Sequence, residues 1–380
     1  MQTGFGPFIS VYLTTQAWTQ VDIGLVLTIA GLVALIGQMP GGALVDLARS
    51  ERHLAGWSLV AISASAVALA AWPIFPLVLS AEVLHAAASC VLGPALAAIS
   101  LGLVGRAHIG ERLGRNARFA SIGNGLAAAA MGATGYFLSS RAVFLFTAVL
   151  CVPALIALSR IREREIDPVR AHGGISEPPA TRVIAGLRKL ARNRPLIILA
   201  GCVLMFHLAN AAMLPLMGGI VTTRSARWAT VLIAACIVVP QIVVAAFSPW
   251  VGRQAQQWGR RPLLIAAFAA LSARGVLFAL TSDPYLLVAV QLLDGVAAAV
   301  LAVMVPLVVA DVTFGTGRFN LAQGVVGSAV GIGAAMSTTL AGYMSDHFGP
   351  SAAFLTLAAI AAAGVTALAA LMPETRPNNT

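Results

Sequence analysis

Long apolar runs follow one another along this chain with only short polar connections between them. Crossing about 30 Å of hydrocarbon takes on the order of 20 apolar residues per helix, and lipid offers no partners to open backbone amides, so such runs have to fold as transmembrane helices. Windows of about 19 residues place six of them at Gly4 to Ala17, Ile23 to Val45, Trp57 to Ala71, Phe75 to Val104, Phe119 to Leu138 and Ala142 to Leu158. Six more fall at Pro195 to Val221, Ala229 to Val251, Leu263 to Thr281, Tyr285 to Val309, Gly324 to Met344 and Ala352 to Met372. Internal prolines such as Pro94, Pro240 and Pro306 are compatible with these spans, because neighbouring helices satisfy the freed backbone groups. With 59% hydrophobic and 10% charged residues against about a quarter charged in soluble domains, the chain has too little charge to cover a water-facing surface. A cytosolic globular enzyme is excluded, and no length remains for a separate soluble domain.

The formal net charge of +10 would suggest nucleic acid as a partner in a soluble chain. Here all but four of the 24 Lys and Arg residues lie on alternate connections (46–56, 105–118, 159–194, 252–262, 311–322 and the C-terminal tail), and the four exceptions are Arg141, Arg224, Arg227 and Arg274. Basic residues collect on the cytoplasmic side of membrane proteins, so both termini are expected there, in the plasma (inner) membrane, with the surplus cations touching anionic lipid head groups. A nucleic-acid role has little left to explain. Cys90, Cys151, Cys202 and Cys236 all sit inside apolar runs as small hydrophobes, and no disulfide is expected. The longest polar stretch, Arg160 to Arg194, divides the chain into two halves. Within it, Val183, Leu187 and Leu190 are spaced for a short surface helix over Arg182 to Arg192, and a flexible tether is the alternative.

The halves echo one another. Pro94 is followed twelve residues later by Arg106, and Pro306 twelve residues later by Arg318; the fifth run carries Gly135-Tyr136, the eleventh Gly342-Tyr343. The second run exits through Gly42 to Asp46, and the eighth through Gly252 to Gln256 and then Gly259-Arg260-Arg261. Six runs, a linker and six related runs form the layout of transporters built from two repeated bundles. On these residues the whole chain resembles the major facilitator superfamily, whose loop between helices 2 and 3 reads G-x-x-x-D-[RK]-x-G-[RK]-[RK]. Gly42 and Asp46 match, while Leu47, Arg49 and Ser50 depart from the pattern; in the second copy Gly252, Gly259, Arg260 and Arg261 match, and Gln256 replaces the acid. Independently of the family, Gly42 permits close helix approach, and Asp46 at a helix end is suited to accept hydrogen bonds from a neighbouring helix N-terminus or from arginines, a contact that works as a gate. The alternative is a pair of charges balancing a solvated loop.

The resemblance implies an all-α polytopic membrane protein of twelve transmembrane helices in two pseudo-symmetric six-helix bundles, residues 1–158 and 195–380, joined by a cytoplasmic linker at 159–194. It further implies alternating access around a central cavity, with a small organic solute and protons as partners beside membrane lipids, no cofactor or metal, and a functional monomer.

Ionisable residues that persist inside spans cost about 2.5 to 3.5 kcal/mol each on insertion scales and are functional candidates. Glu82, His85 and Ser89 form one polar stripe on the fourth run. Glu82 stands where many drug exporters of the family carry an arginine, so that arginine's mechanism does not transfer. At the matching place in the tenth run stand Gln291 and Asp294; His207 and Asn210 share a face of the seventh. These six are the candidate proton or substrate pathway, and each taken singly also fits a buried group satisfied by one neighbour at about 1 kcal/mol or less. Arg274, about 10 Å from the outer end of the ninth run, is expected to snorkel or to form a structural pair. The exporter signature of helix 5 is only partly matched by Gly123, Gly132 and Gly135. The tail Pro373-Glu374-Thr375-Arg376 resembles the Pro-Glu-Thr end of sugar porters.

The function expected is secondary active transport, export slightly ahead of uptake. No G-x-x-x-x-G-K-[ST] loop for ATP and no H-E-x-x-H zinc motif occurs, which argues against a pump and an intramembrane protease. A transporter-derived sensor or assembly factor is the alternative. Finally, Gly4 to Ala17 is only 14 residues long and contains Pro7, so the natural reading frame is expected to begin upstream and complete the first helix.

Overall fold

The computed structural model describes residues 9, 12–174, 183–217 and 226–376. Helices fill nearly all of it, with no strand among the described residues. They are α1 (Gln20–Leu47), α2 (Glu51–Ala71), the stretch Phe75–Phe137, α5 (Ser140–Ser159), α6 (Pro168–Ala171), α7 (Val183–Leu190) and α8 (Arg194–Asn210). After these come α9 (Ala226–Trp258), α10 (Arg261–Leu280), α11 (Pro284–Val312), α12 (Phe319–Phe348) and α13 (Pro350–Leu371). Non-helical backbone at Gly105, φ 68°, divides Phe75–Phe137 into α3 (75–104) and α4 (106–137). That positive φ is what a glycine adopts without strain, so a single residue turns the chain where a connection over 105–118 was expected. Among the described residues ten helices, counting this divided one once, are long and apolar enough to cross a membrane.

Side-chain caps explain where several helices begin. Thr19 accepts from the Asp22 amide at 3.1 Å, Ser50 from His53 at 3.3 Å, Ser139 from Ala142 at 3.1 Å and Asn193 from Leu196 at 3.2 Å, each closing one of the open first-turn donors. Because Ser50 starts α2 so early, the connection expected over 46–56 shrinks to Ala48–Ser50. Apolar side chains fill the interior and also face outward: Val21, Ile36, Trp57 and Leu126 are among the large hydrophobics left exposed, the surface that lipid covers in a membrane protein.

The chain divides into two compact units. One comprises Met1–Gly105, Gly123–Leu187 and Thr313–Val325, the other Arg106–Ile122, Arg188–Val312 and Val326–Thr380. In the first, Ile9, Tyr12 and Leu13 of the first expected helix are buried with Val26, Leu69 and Phe144, and the Tyr12 hydroxyl donates to the Leu69 carbonyl at 3.1 Å. The part of that helix before Ile9 lies outside the described residues. In the second unit, small residues let helices approach closely: an added Cβ at Gly275 would press on Ala358 and Met213, and one at Gly364 on the Phe268 ring. The expected helix Pro195 to Val221 runs as α8 and on to Met217; residues 218–225, Arg224 among them, lie outside the described residues. A helix, α7, is present within the linker where a short one was expected over Arg182 to Arg192.

Candidate functional site

Four groups of polar side chains make up the candidate site, and the first is a carboxylate at the end of α1. Asp46 accepts from the Asn320 amide at 3.1 Å, the Leu321 amide at 2.7 Å and the Asn320 side-chain amide at 2.8 Å. It therefore caps the N-terminus of α12, whose open donors and positive dipole end are suited to a carboxylate. Two glycines make the approach possible: an added Cβ at Gly42 would fall inside contact distance of the Asn320 carbonyl, and one at Gly324 inside that of Gln38. The partners are backbone and amide groups. Arg49 is exposed and takes no part, and Arg52 turns away to the Ile161 carbonyl at 2.9 Å.

The second copy of the motif is built differently. Gly252 packs against the backbone of Gly110, and Gln256, standing where the acid would be, donates to the Ala107 carbonyl at 3.4 Å. The acids come from elsewhere. Asp311 at the end of α11 takes Arg260 Nε at 2.9 Å on one oxygen and Arg106 Nε at 3.1 Å on the other. Glu374 in the tail accepts from the Arg260 amide at 2.9 Å and the Arg261 amide at 3.1 Å, capping α10, while Gly259 at φ 91° brings the turn against that carboxylate. Burial alone would raise the Glu374 pKa, but amide donation from Arg260, Arg376 and Arg261 outweighs it and holds the carboxyl below its usual value. The motif pattern alone did not point to Asp311, Arg106 and Glu374 as a set. The available signals were an acid at a span end, the Arg echo after Pro94 and the Pro-Glu-Thr tail.

The third cluster lies within the spans of the second unit. Arg274, 1% exposed, donates to Asp294 at 2.7 Å and to the Asn210 side-chain oxygen, and its guanidinium stacks over Phe278 at 5.2 Å. Asp294 is thus compensated, and of the two alternatives for Arg274 the structural pair is the one formed, its head being sealed among α8, α10 and α11. Gln291, one turn before Asp294, is fully buried beside Cys236. His207 stacks edge-on against Phe206 at 5.5 Å. The structure thus joins Asn210 and Asp294 through an arginine that was not counted with them. In the first unit Glu82 is 6% exposed with its Oε1 unpartnered among the described residues, as is Ser89 Oγ, and His85 lies half-buried between them. A buried carboxylate oxygen without a donor is poised to bind a proton or a cation.

The family model of the Major Facilitator Superfamily matches residues 1–242 and 223–380. The chain belongs to the major facilitator superfamily. Two curated relatives, uncharacterised MFS-type transporters from two strains of Mycobacterium tuberculosis, are each 41% identical over 384 residues, covering 99% of this chain and 90% of theirs. Among solved structures, the E. coli fucose:proton symporter matches with TM-score 0.77 at 15% identity, over 97% of this chain and 94% of its own. A proton:xylose symporter matches with TM-score 0.70 at 15% identity over 97% and 90%, and the human organic anion transporter with 0.69 at 15% over 96% and 89%. This superfamily member is accordingly an all-α, multi-pass membrane protein with the twelve-helix, two-bundle fold, one of a family of transporters and not of enzymes.

Proposed function

We propose that this chain exports a small organic solute by proton-driven alternating access, as a monomer in the inner membrane with both termini cytoplasmic. In this reading residues 1–158 and 195–380 are the two bundles and 159–194 the cytoplasmic linker. The observation that carries it is the buried Glu82 carboxyl, with an oxygen left unpartnered inside a span. An acid buried in a span with one oxygen unpartnered among the described residues is suited to reversible protonation. The Arg274–Asp294–Asn210 group is the second polar element, Asp294 exchanging its arginine for a proton or for solute; His85, His207 and Gln291 line the route. Asp46 on the α12 N-terminus and the Arg260–Asp311–Arg106 group act as the inner gate, each contact breaking when the protein opens to the cytoplasm. Proton symporters among the structural neighbours support the coupling.

The test is flux in liposomes carrying an imposed pH gradient, with a trapped pH dye reporting protons and a panel of small organic acids, bases and sugars as solutes. The expected result is proton movement that depends on one solute class and disappears in Glu82→Gln. Solute flux indifferent to the gradient would sink the coupling, and no flux with any class would sink the reading itself.

A further inference from the structure

The chain between the sequence halves starts as a folded strap. After α5, the carbonyl of Ile161 is held by Arg52, and Ile166 and Ala171 are buried against Gly102, whose carbonyl accepts from the Asp167 amide at 3.2 Å. Asp167 caps α6 through the Val169 and Arg170 amides. At Gly173 and Gly174, φ 98° and 105°, the strap turns and runs beside the connection that leads into α12. The Gly315 amide donates to the Gly173 carbonyl at 2.7 Å, and the Phe319 amide to the His172 carbonyl at 3.4 Å. Phe319 directly precedes Asn320, the residue that Asp46 holds. On its other side His172 points back, its Nε2 3.0 Å from Oε1 of Glu51, a carboxylate only 3% exposed at the start of α2.

We propose that His172 is a positioning residue of the inner gate: as an imidazolium it ties α2 and the Asp46 end of α1 to the strap that also holds the first residue of α12, and on losing its proton it lets the strap and the latch go. The inference rests on reading Asp46 as a gate. The charged groups acting on His172 are Glu51 from α2 and Asp46 from α1; Arg318 is next to Phe319 in the sequence, and on the strap itself Arg170 is already paired with Asp167 at 3.1 Å. Burial works against the imidazolium. The Glu51 carboxylate in ion-pair contact, the charge of Asp46 and the Val45 carbonyl outweigh it, so the pKa stands above the ordinary 6.5. A raised folded pKa means that the tie is fully present below the ordinary value and is lost as pH rises through the raised one. Cytoplasmic alkalinisation, which accompanies a proton gradient, thus loosens the latch.

Amide hydrogen exchange on the full-length protein in detergent, corrected for intrinsic rates, tests this over about pH 6 to pH 8.5. Wild type should lose about tenfold in protection across 163–174 and 313–321 on going up that range. His172→Gln should be unprotected throughout, and His172→Lys, which keeps the charge, should stay protected beyond the pH at which wild type lets go. A wild-type pH profile in His172→Gln overturns the inference, and so does a wild-type protein whose protection is flat with pH. Asp46→Asn tests the gate reading separately, through cytoplasmic-side labelling, and its failure would leave a pH-dependent strap that positions no gate.

Discussion

Arg274 sits with 1% of its surface exposed inside a membrane helix, and a guanidinium there requires a counter-charge and acceptors, which Asp294 and Asn210 supply. Removing one partner of a buried pair typically costs about 3–5 kcal/mol, whereas replacing both by apolar groups is close to neutral. Arg274→Met and Asp294→Leu should each lower the unfolding free energy by about 3 kcal/mol in detergent, and the double variant by about 1 kcal/mol or less. Additive losses in a double-mutant cycle would show that the two residues do not interact. Glu82 is the opposite case. Among the described residues its Oε1 has no partner to lose, so Glu82→Gln should leave thermal stability within about 0.5 kcal/mol of wild type while abolishing gradient-driven flux; a large drop in melting temperature would instead make Glu82 a structural acid.

At the scale of the helices, what decides the latch is how closely α1 and α12 approach. Gly42 and Gly324 face backbone of the opposite helix, whereas Gly31, also on α1, has nothing among the described residues within 4 Å of an added Cβ. Gly42→Ala should therefore force α12 away from Asp46 at the cost of overpacking, about 1–3 kcal/mol, and Gly31→Ala should be neutral or slightly stabilising. Melting curves of the two variants check this, and equal behaviour would mean that the α1–α12 approach is not tight. Asp46→Asn keeps the shape but exchanges a charge-assisted cap for a neutral one. It should raise cytoplasmic-side labelling of cysteines introduced along the expected pathway, and unchanged labelling would reduce Asp46 to a cap without a gating role.

For the whole molecule, the tail is a clasp: Glu374 closes the first turn of α10, and Arg376 donates to the carbonyls of Gln256 and Gln257. Because the folded pKa of Glu374 is lowered, its contribution is present above the ordinary 4.5 and disappears as pH falls through the folded value. Protection of the Arg260 and Arg261 amides should fall on acidification in wild type and be low at neutral pH in Glu374→Gln; a pH-independent profile in wild type would exclude the clasp. The helical class, the apolar runs and the paired motif were legible in the residues, because lipid enforces length and apolarity locally and the repeat copies its glycines and arginines; the lengths of the connections were not, since Ser50 and Gly105 shorten them. The individual acids at 82 and 294 were equally visible, since charge in an apolar run stands out. Their circumstances were not: whether an in-span acid has a partner depends on which residue of another helix arrives beside it, and Arg274 reaches Asp294 from 20 residues away while Asn210 reaches Arg274 across 64. The same holds for Asp311 and Glu374 taking over from the missing acid at Gln256, and for the strap, whose composition reads as a tether and whose order comes from Glu51, Gly102 and Gly315. Local sequence sets which segments enter the membrane and in what order; pairing of buried charges is settled only when the helices pack, because the cost of an unpaired charge is set by its neighbours in space.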